Sequence, residues 1–503
     1  VKNSLPTLFS LVLLACGGTQ DAEPSERLVT RPMAPLIDRT QSPAPGEARP
    51  YEIPDPRTFT LDNGLEVVVV ERASFPTFAA RLSVRAGTDT TDGRPALAGL
   101  TARLLRDGTA DLDAAEIAQF IDANGIEYSA SAGENRLVMS VDALADSAAP
   151  ALTLLSQLAT EAAFADDRFA ARQGEMADEI EVGAARPEWH SQRMVRRVLF
   201  GDHTYGVTVV PDDVLALGVD DVRAFHDAAF DPRRARLVLV GDLPADIDAL
   251  VQSAFGAWAP SDAALGPREL PANVEITTCN EAWVVVRPGS VQTTVAWVGP
   301  GIADSDERYF DALLANHVLG GGASARLFMN LRERRSLTYG AYSSLAVLDG
   351  ASWFSASSNV RSEVTAEALD AFEEEFARFD GSAIPVDDLD DARDYLAGVF
   401  PIENETNAQL ASRVSSVLDR GLGVDWLRTY RGQVRSVEPD RAGELGARLV
   451  DRDHLTLVMV GPEEAVVDVA AEHASRVVVY DLEGKVLREV EGQLTSSCGA
   501  DSP

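Results

Sequence analysis

Histidine is scarce in this chain: six in 503 residues. They are His190, His203, His226, His317, His454 and His473, and no two stand three, four or five positions apart. A helix-borne metal site built on a local His pair is therefore excluded. Cysteine is scarcer, with Cys16, Cys279 and Cys498 alone. No C-x-x-C occurs, so redox chemistry and a thiolate zinc site find little support. Positive charge is also short, 44 Lys+Arg against 79 Asp+Glu for a net charge of −35. A nucleic-acid binder needs a basic face to neutralise phosphates, and docking on anionic lipid needs a polybasic patch; neither is supplied. There is no G-x-S-x-G elbow, no phosphate loop and no apolar run of transmembrane length. What remains is a globular composition, 46% hydrophobic and 24% charged. At roughly 150 residues per domain it is long enough for several domains with real cores.

The N-terminus has one early positive charge, Lys2, then a short apolar run from Leu8 to Ala15. That run is too short to span a bilayer. Leu13-Leu14-Ala15-Cys16-Gly17-Gly18 resembles a bacterial lipoprotein signal. The resemblance implies a signal peptide over 1–15, lipidation of Cys16, and residence in the bacterial cell envelope. Gly17 after the cysteine favours the outer membrane, facing the periplasm, with membrane contact only through the lipid anchor. Residues 16–55, rich in Pro, Glu, Gln and Ser, read as a flexible tether. Cys279 and Cys498 then either pair, pinning the tail to the start of the second half, or remain two small unpaired residues.

The organisation is a repeat. Leu237-Val238-Leu239-Val240-Gly241 recurs as Leu457-Val458-Met459-Val460-Gly461, each after a turn with Asp and Arg. The flanks agree. Strands are expected over 66–70 and 78–86 in the first half, with Leu82 and Val84 buried and Ser83 and Arg85 on the opposite face. Strands over 283–286 and 291–298 are their counterparts. Helices follow over 95–106 and 308–319, ended by Gly108 and Gly320. Asp113 and Gly125 cap a further helix, and another is expected over 147–163. The result is an α+β chain of two similar domains, 56–262 and 274–465, each an antiparallel sheet with packed helices. A linker lies at 263–273, and a hairpin around Glu483-Gly484 with a polar tail fills 466–503.

Leu319-Gly320-Gly321-Gly322-Ala323-Ser324-Ala325-Arg326-Leu327-Phe328-Met329-Asn330-Leu331-Arg332-Glu333, continuing to Leu337-Thr338-Tyr339, closely resembles the second-domain signature of the insulinase/pitrilysin family of zinc peptidases. Leu199-Phe200-Gly201-Asp202-His203-Thr204-Tyr205-Gly206 resembles the family's first-domain segment, usually spelled with His-Pro-Tyr-Gly. The resemblance covers about 60–465. It implies paired α+β domains forming half of a clamshell-like chamber for extended peptide. In the family's catalytic domain, H-x-x-E-H sets two zinc ligands on one helical face beside a general base, and a distant Glu completes the site.

Aligned on Gly108-Thr109, the two His positions here hold Gly99 and Arg103, and the base position holds Ala102. The distant Glu matches Glu179, a vestigial ligand or simply an exposed helix residue. No zinc is expected in this chain. Arg332 and Tyr339 match a pair that the family aims at the substrate carbonyl and the developing oxyanion, where such donors can each contribute roughly 3 kcal/mol. Arg332 on a solvated helix face and Tyr339 in a core is the bland alternative. The run Gly320-Gly321-Gly322 is either a tight backbone corner or a flexible segment lining the chamber. The resemblance thus implies a zinc-less subunit that completes a heteromeric peptidase, with an H-x-x-E-H partner carrying the zinc and unfolded or extended peptides as ligands. A structural or peptide-binding lipoprotein with no part in hydrolysis, and an independent metallopeptidase, are the rival expectations.

Overall fold

The computed structural model describes residues 50–262 and 274–497. The signal, most of the tether, the linker 263–273, Cys16 and Cys498 lie outside the described residues. Residues from Pro50 onward form one compact unit that includes both halves.

The first sheet contains β1 (Arg57–Thr60), β2 (Glu66–Glu71), β3 (Thr77–Val84), β4 (Glu127–Ala132), β5 (Leu137–Leu144) and β6 (Ala235–Gly241), in the order β1-β2-β6-β3-β5-β4. The second contains β7 (Ala282–Val286), β8 (Gln292–Pro300), β9 (Thr338–Leu348), β10 (Ala351–Arg361), β11 (Thr456–Gly461), β12 (Arg476–Tyr480) and β13 (Val486–Glu491), in the order β13-β12-β7-β11-β8-β10-β9. Five strands therefore run in one shared order, β2-β6-β3-β5-β4 matching β7-β11-β8-β10-β9. The sheets are mainly antiparallel, but β2 runs parallel to β6 and β7 parallel to both β11 and β12. The hairpin is no separate appendage. It extends the second sheet, and residue 466 falls inside the helix Glu463–Glu472.

Local signals explain the helix ends. Asp113 accepts from the amides of Ala115 and Glu116, and Gly125 closes that helix at φ 60°, a left-handed position where glycine carries no Cβ penalty. The expected alternation in β3 fails. Arg81 and Ser83 are as buried as Leu82 and Val84, because β3 has a protein layer on both faces. The helix Asn407–Asp419 lays Leu410, Ala411, Val414 and Val417 over Val68, Val70, Ala79, Val238 and Val240 of the first sheet. The helix Pro187–Phe200 does the reverse, setting Met194, Leu199 and Phe200 on Val285, Ala296, Val298, Val458 and Val460. These two helices start 220 positions apart (407 − 187 = 220), the offset of the repeated strand. Each half thus lends a helix to the outer face of the other's sheet.

The buried Arg81 is satisfied as such a layer requires. It pairs with Asp142 at 2.8 Å and donates to Ser412 Oγ at 2.9 Å and to the Ala408 carbonyl at 3.1 Å. The tether expected to reach residue 55 is shorter. Tyr51 donates to the Asn404 carbonyl at 3.0 Å and Ile53 is buried, since two large apolar side chains find the same interface.

Candidate functional site

Gly99, Ala102 and Arg103 lie on the helix Leu97–Leu104. Across from it runs the long helix Asp166–Ala184, which carries Met176 and Glu179. A Cβ at Gly99 would stand 3.3 Å from Met176 Cε, so a side chain at 99 would press on the end of the methionine. Arg103 donates to Glu179 Oε2 at 2.6 Å. That hydrogen bond holds the Glu179 carboxyl below the usual carboxylate range.

These residues do not fit a zinc ion. Position 99 offers no donor atom, Ala102 has no proton-accepting group, and the Glu179 carboxylate is engaged by the Arg103 guanidinium. The structure joins Arg103 and the exposed Glu179 into an ion pair. Among the described residues no three His, Cys, Asp or Glu side chains gather as a metal-binding group, and no helix is long and apolar enough to cross a membrane. The histidines have local roles. His190 Nε2 lies 2.9 Å from the Ala184 carbonyl and His226 Nε2 2.9 Å from that of Ala159, while His203 accepts from the Tyr205 amide.

Arg332 and Tyr339 are brought together. Arg332 sits on the wide helical turn Met329–Arg334, and Tyr339 is the second residue of β9. The Arg332 guanidinium carbon lies 4.8 Å from the Tyr339 ring centre and 4.7 Å from that of Phe328, a cation held between two aromatic faces. Glu333 faces its Nε at 3.6 Å. Tyr339 is 87% exposed, which removes the core alternative for it. It stands at a cavity of about 700 Å³ between the helix Pro187–Phe200 and strands β8, β9 and β10. Glu188 closes one side, accepting from Asn359 at 2.9 Å. Phe328, Glu188 and Asn359 were not legible as site residues. Only the spacing of Phe328, four before Arg332, hinted at a stacking partner.

Gly320 ends the helix Tyr309–Gly320 against β9. A Cβ there would meet the Ser343 amide nitrogen at 2.4 Å, and one at Gly321 would meet His317 Nδ1 at 2.4 Å. Gly322 has no such closeness, its nearest atom being 4.0 Å away. The run is a close backbone corner at its first two positions. Tyr205, from the first-domain segment, is fully buried and spans the two halves. Its hydroxyl donates to the Asp349 carbonyl at 2.9 Å and accepts from Asn135 at 2.7 Å. Cys279 is disulfide-bonded. Beside it Asn280 donates to the Thr495 carbonyl at 2.8 Å, so the tail is docked at the start of the second half.

Two α+β repeats, exchanged helices and a dismantled zinc helix define a peptidase-type scaffold. Residues 67–212 match the family described as Insulinase (Peptidase family M16), and residues 216–396 match Peptidase M16 inactive domain. The chain belongs to the insulinase family. An uncharacterized zinc protease of Streptomyces coelicolor is 26% identical over 446 residues, 85% of this chain and 94% of that protein. A protein of Helicobacter pylori named non-peptidase homolog YmxG is 20% identical over 400 residues, 78% of this chain and 91% of its own. The crystal structure of a peptidase M16 inactive domain from Pseudomonas fluorescens superposes with a TM-score of 0.75 at 26% identity, covering 81% of this chain and 98% of that one. The dismantled site and these likenesses fit a non-catalytic member of the family.

Proposed function

We propose that this chain is the zinc-less subunit of a heteromeric peptidase in the bacterial envelope, anchored through lipid on Cys16. It binds extended peptide and offers Arg332 and Tyr339 to a reaction whose zinc resides in a homologous H-x-x-E-H partner. The observation that carries this reading is the contrast between two places in one chain. Where the family binds zinc, Arg103 and Glu179 neutralise each other at 2.6 Å; where it binds the reacting carbonyl, Arg332 and Tyr339 remain side by side at the surface. Both are hydrogen-bond donors, and donors aimed at developing negative charge act without any metal on this chain.

The test is reconstitution with an H-x-x-E-H chain from the same organism. The pair should hydrolyse a quenched fluorescent peptide, and Arg332→Ala should lower turnover roughly 100-fold while the pair still co-elutes. Unchanged turnover with Arg332→Ala would leave a peptide-binding or structural lipoprotein as the better account. Stoichiometric zinc and activity in this chain alone would overturn the proposal.

A further inference from the structure

Beside the dismantled zinc helix lies a second pocket, of about 270 Å³, lined by Ala102, Arg103, Arg106, Tyr128, Ser129, Ala130 and Arg172. In a chain with nearly two acids per base, this lining holds three arginines and no carboxylate. The acids around it are already engaged. Glu179 takes Arg103, Asp107 takes Arg168 and Arg172, and Glu175 takes Arg172. Arg106 is left over, exposed and with no ion-pair or hydrogen-bond partner among the described residues. At the pocket wall the Tyr128 hydroxyl is buried and finds no hydrogen-bond partner among the described residues. Burial pushes its phenol pKa upward, so it is an O–H donor at neutral pH. A free cation and an unsatisfied buried donor in one cleft ask for an acceptor that carries negative charge.

We infer that this pocket binds the carboxylate of a peptide, which accepts hydrogen bonds from Arg106 and Tyr128. The peptide is favoured over a free anion because Tyr128, Ser129 and Ala130 belong to β4, which among the described residues pairs only with β5 and ends the first sheet. Its outer edge keeps main-chain groups for an extended chain. A single carboxylate is favoured over an acidic run. The net charge of −35 repels polyanions at long range, whereas screening over about 8 Å leaves a lone carboxylate governed by the nearby arginines. This inference rests on the proposed reading of the chain as a peptide-binding subunit.

The test measures fluorescence anisotropy of dye-labelled Ala/Ser peptides on the purified full chain. One has a free C-terminus, one is the C-terminal amide, and one is the amide with a single internal Glu. Tighter binding of the first locates the carboxylate at the chain end, and of the third in a side chain. Either should exceed the plain amide by about tenfold. Arg106→Gln should abolish the preference, Tyr128→Phe should weaken it, and both variants should keep the wild-type melting temperature. Equal affinity for all three peptides, no binding of any, or a preference that survives Arg106→Gln overturns the inference. So does inorganic phosphate displacing peptide at equal concentration, which would assign the pocket to a free anion. A carboxylate preference without reconstituted hydrolysis refutes the subunit reading alone; hydrolysis without the preference refutes the pocket alone.

Discussion

At Gly99 two effects oppose each other, and their balance is measurable. Gly99 is interior to the helix Leu97–Leu104, where glycine costs roughly 0.5–1 kcal/mol relative to alanine. The only atom a Cβ would crowd is Met176 Cε at 3.3 Å, the end of a flexible side chain. Gly99→Ala should therefore raise stability by up to about 1 kcal/mol in urea unfolding. Gly99→His must displace the whole thioether and should cost about 1–3 kcal/mol. Installing a ligand at 99 thus involves a fourth position, because the Met176 methyl stands 3.3 Å from a Cβ there. Restoring Gly99→His, Ala102→Glu and Arg103→His should give stoichiometric zinc by elemental analysis only when Met176→Ala accompanies them. Full zinc without the Met176 change would show that the thioether yields freely. The three altered positions, carried over from Gly108-Thr109, and Glu179 were implied by the family resemblance. That Arg103 would close on Glu179 was not, since it depends on how two helices 76 residues apart cross (179 − 103 = 76). Opposite charges at two positions of one lost ligand set were the signal available.

At the scale of elements, legibility depended on how local the determinant was. Caps at Asp113 and Gly125, the paired strands and the hairpin Arg476–Glu491 follow from adjacent residues. The two-sided burial of β3 does not. A period of two reports a face only when water covers the other one, and here a helix more than 300 positions away covers it. Ser83, expected opposite Leu82 and Val84, was the point where the pattern misled, and Arg81 on the same face is buried with it. The Arg81 guanidinium joins β3, β5 and the second half's helix, and its removal strands Asp142. Arg81→Ala should cost roughly 3 kcal/mol, far above a surface arginine. Tyr205→Phe removes hydrogen bonds to Asp349 and Asn135 with little change of shape, and should cost roughly 1–2 kcal/mol. Denaturant midpoints at unchanged slope would check both. A loss under 0.5 kcal/mol at either site would mean that the bridge contributes little to joining the halves.

For the whole molecule, the exchange of helices has a consequence that a simple two-domain chain would not share. The first half alone would bare Val68, Val70, Ala79, Val238 and Val240, and the second would bare Val285, Ala296, Val298, Val458 and Val460. At roughly 25 cal/mol per Å² of apolar surface, re-exposing either face costs more than a marginally stable domain can bear. Polar ties reinforce the apolar ones, with Asp349 paired to Arg85 and Arg136 and Asp419 to Arg236. The chain should therefore unfold in a single calorimetric transition despite its length. A protease site engineered into 263–273 gives a sharper test. After cleavage the halves should co-elute as one species at the original volume, with the melting temperature lowered by no more than a few degrees. Expressed separately, each half should aggregate, and co-expression should recover the complex. Two independent transitions, or separation after cleavage, would mean that the exchanged helices decorate the sheets rather than complete their cores. Any partner that docks on this chain then meets one compact unit that carries Arg332, Tyr339 and the arginine-lined pocket together.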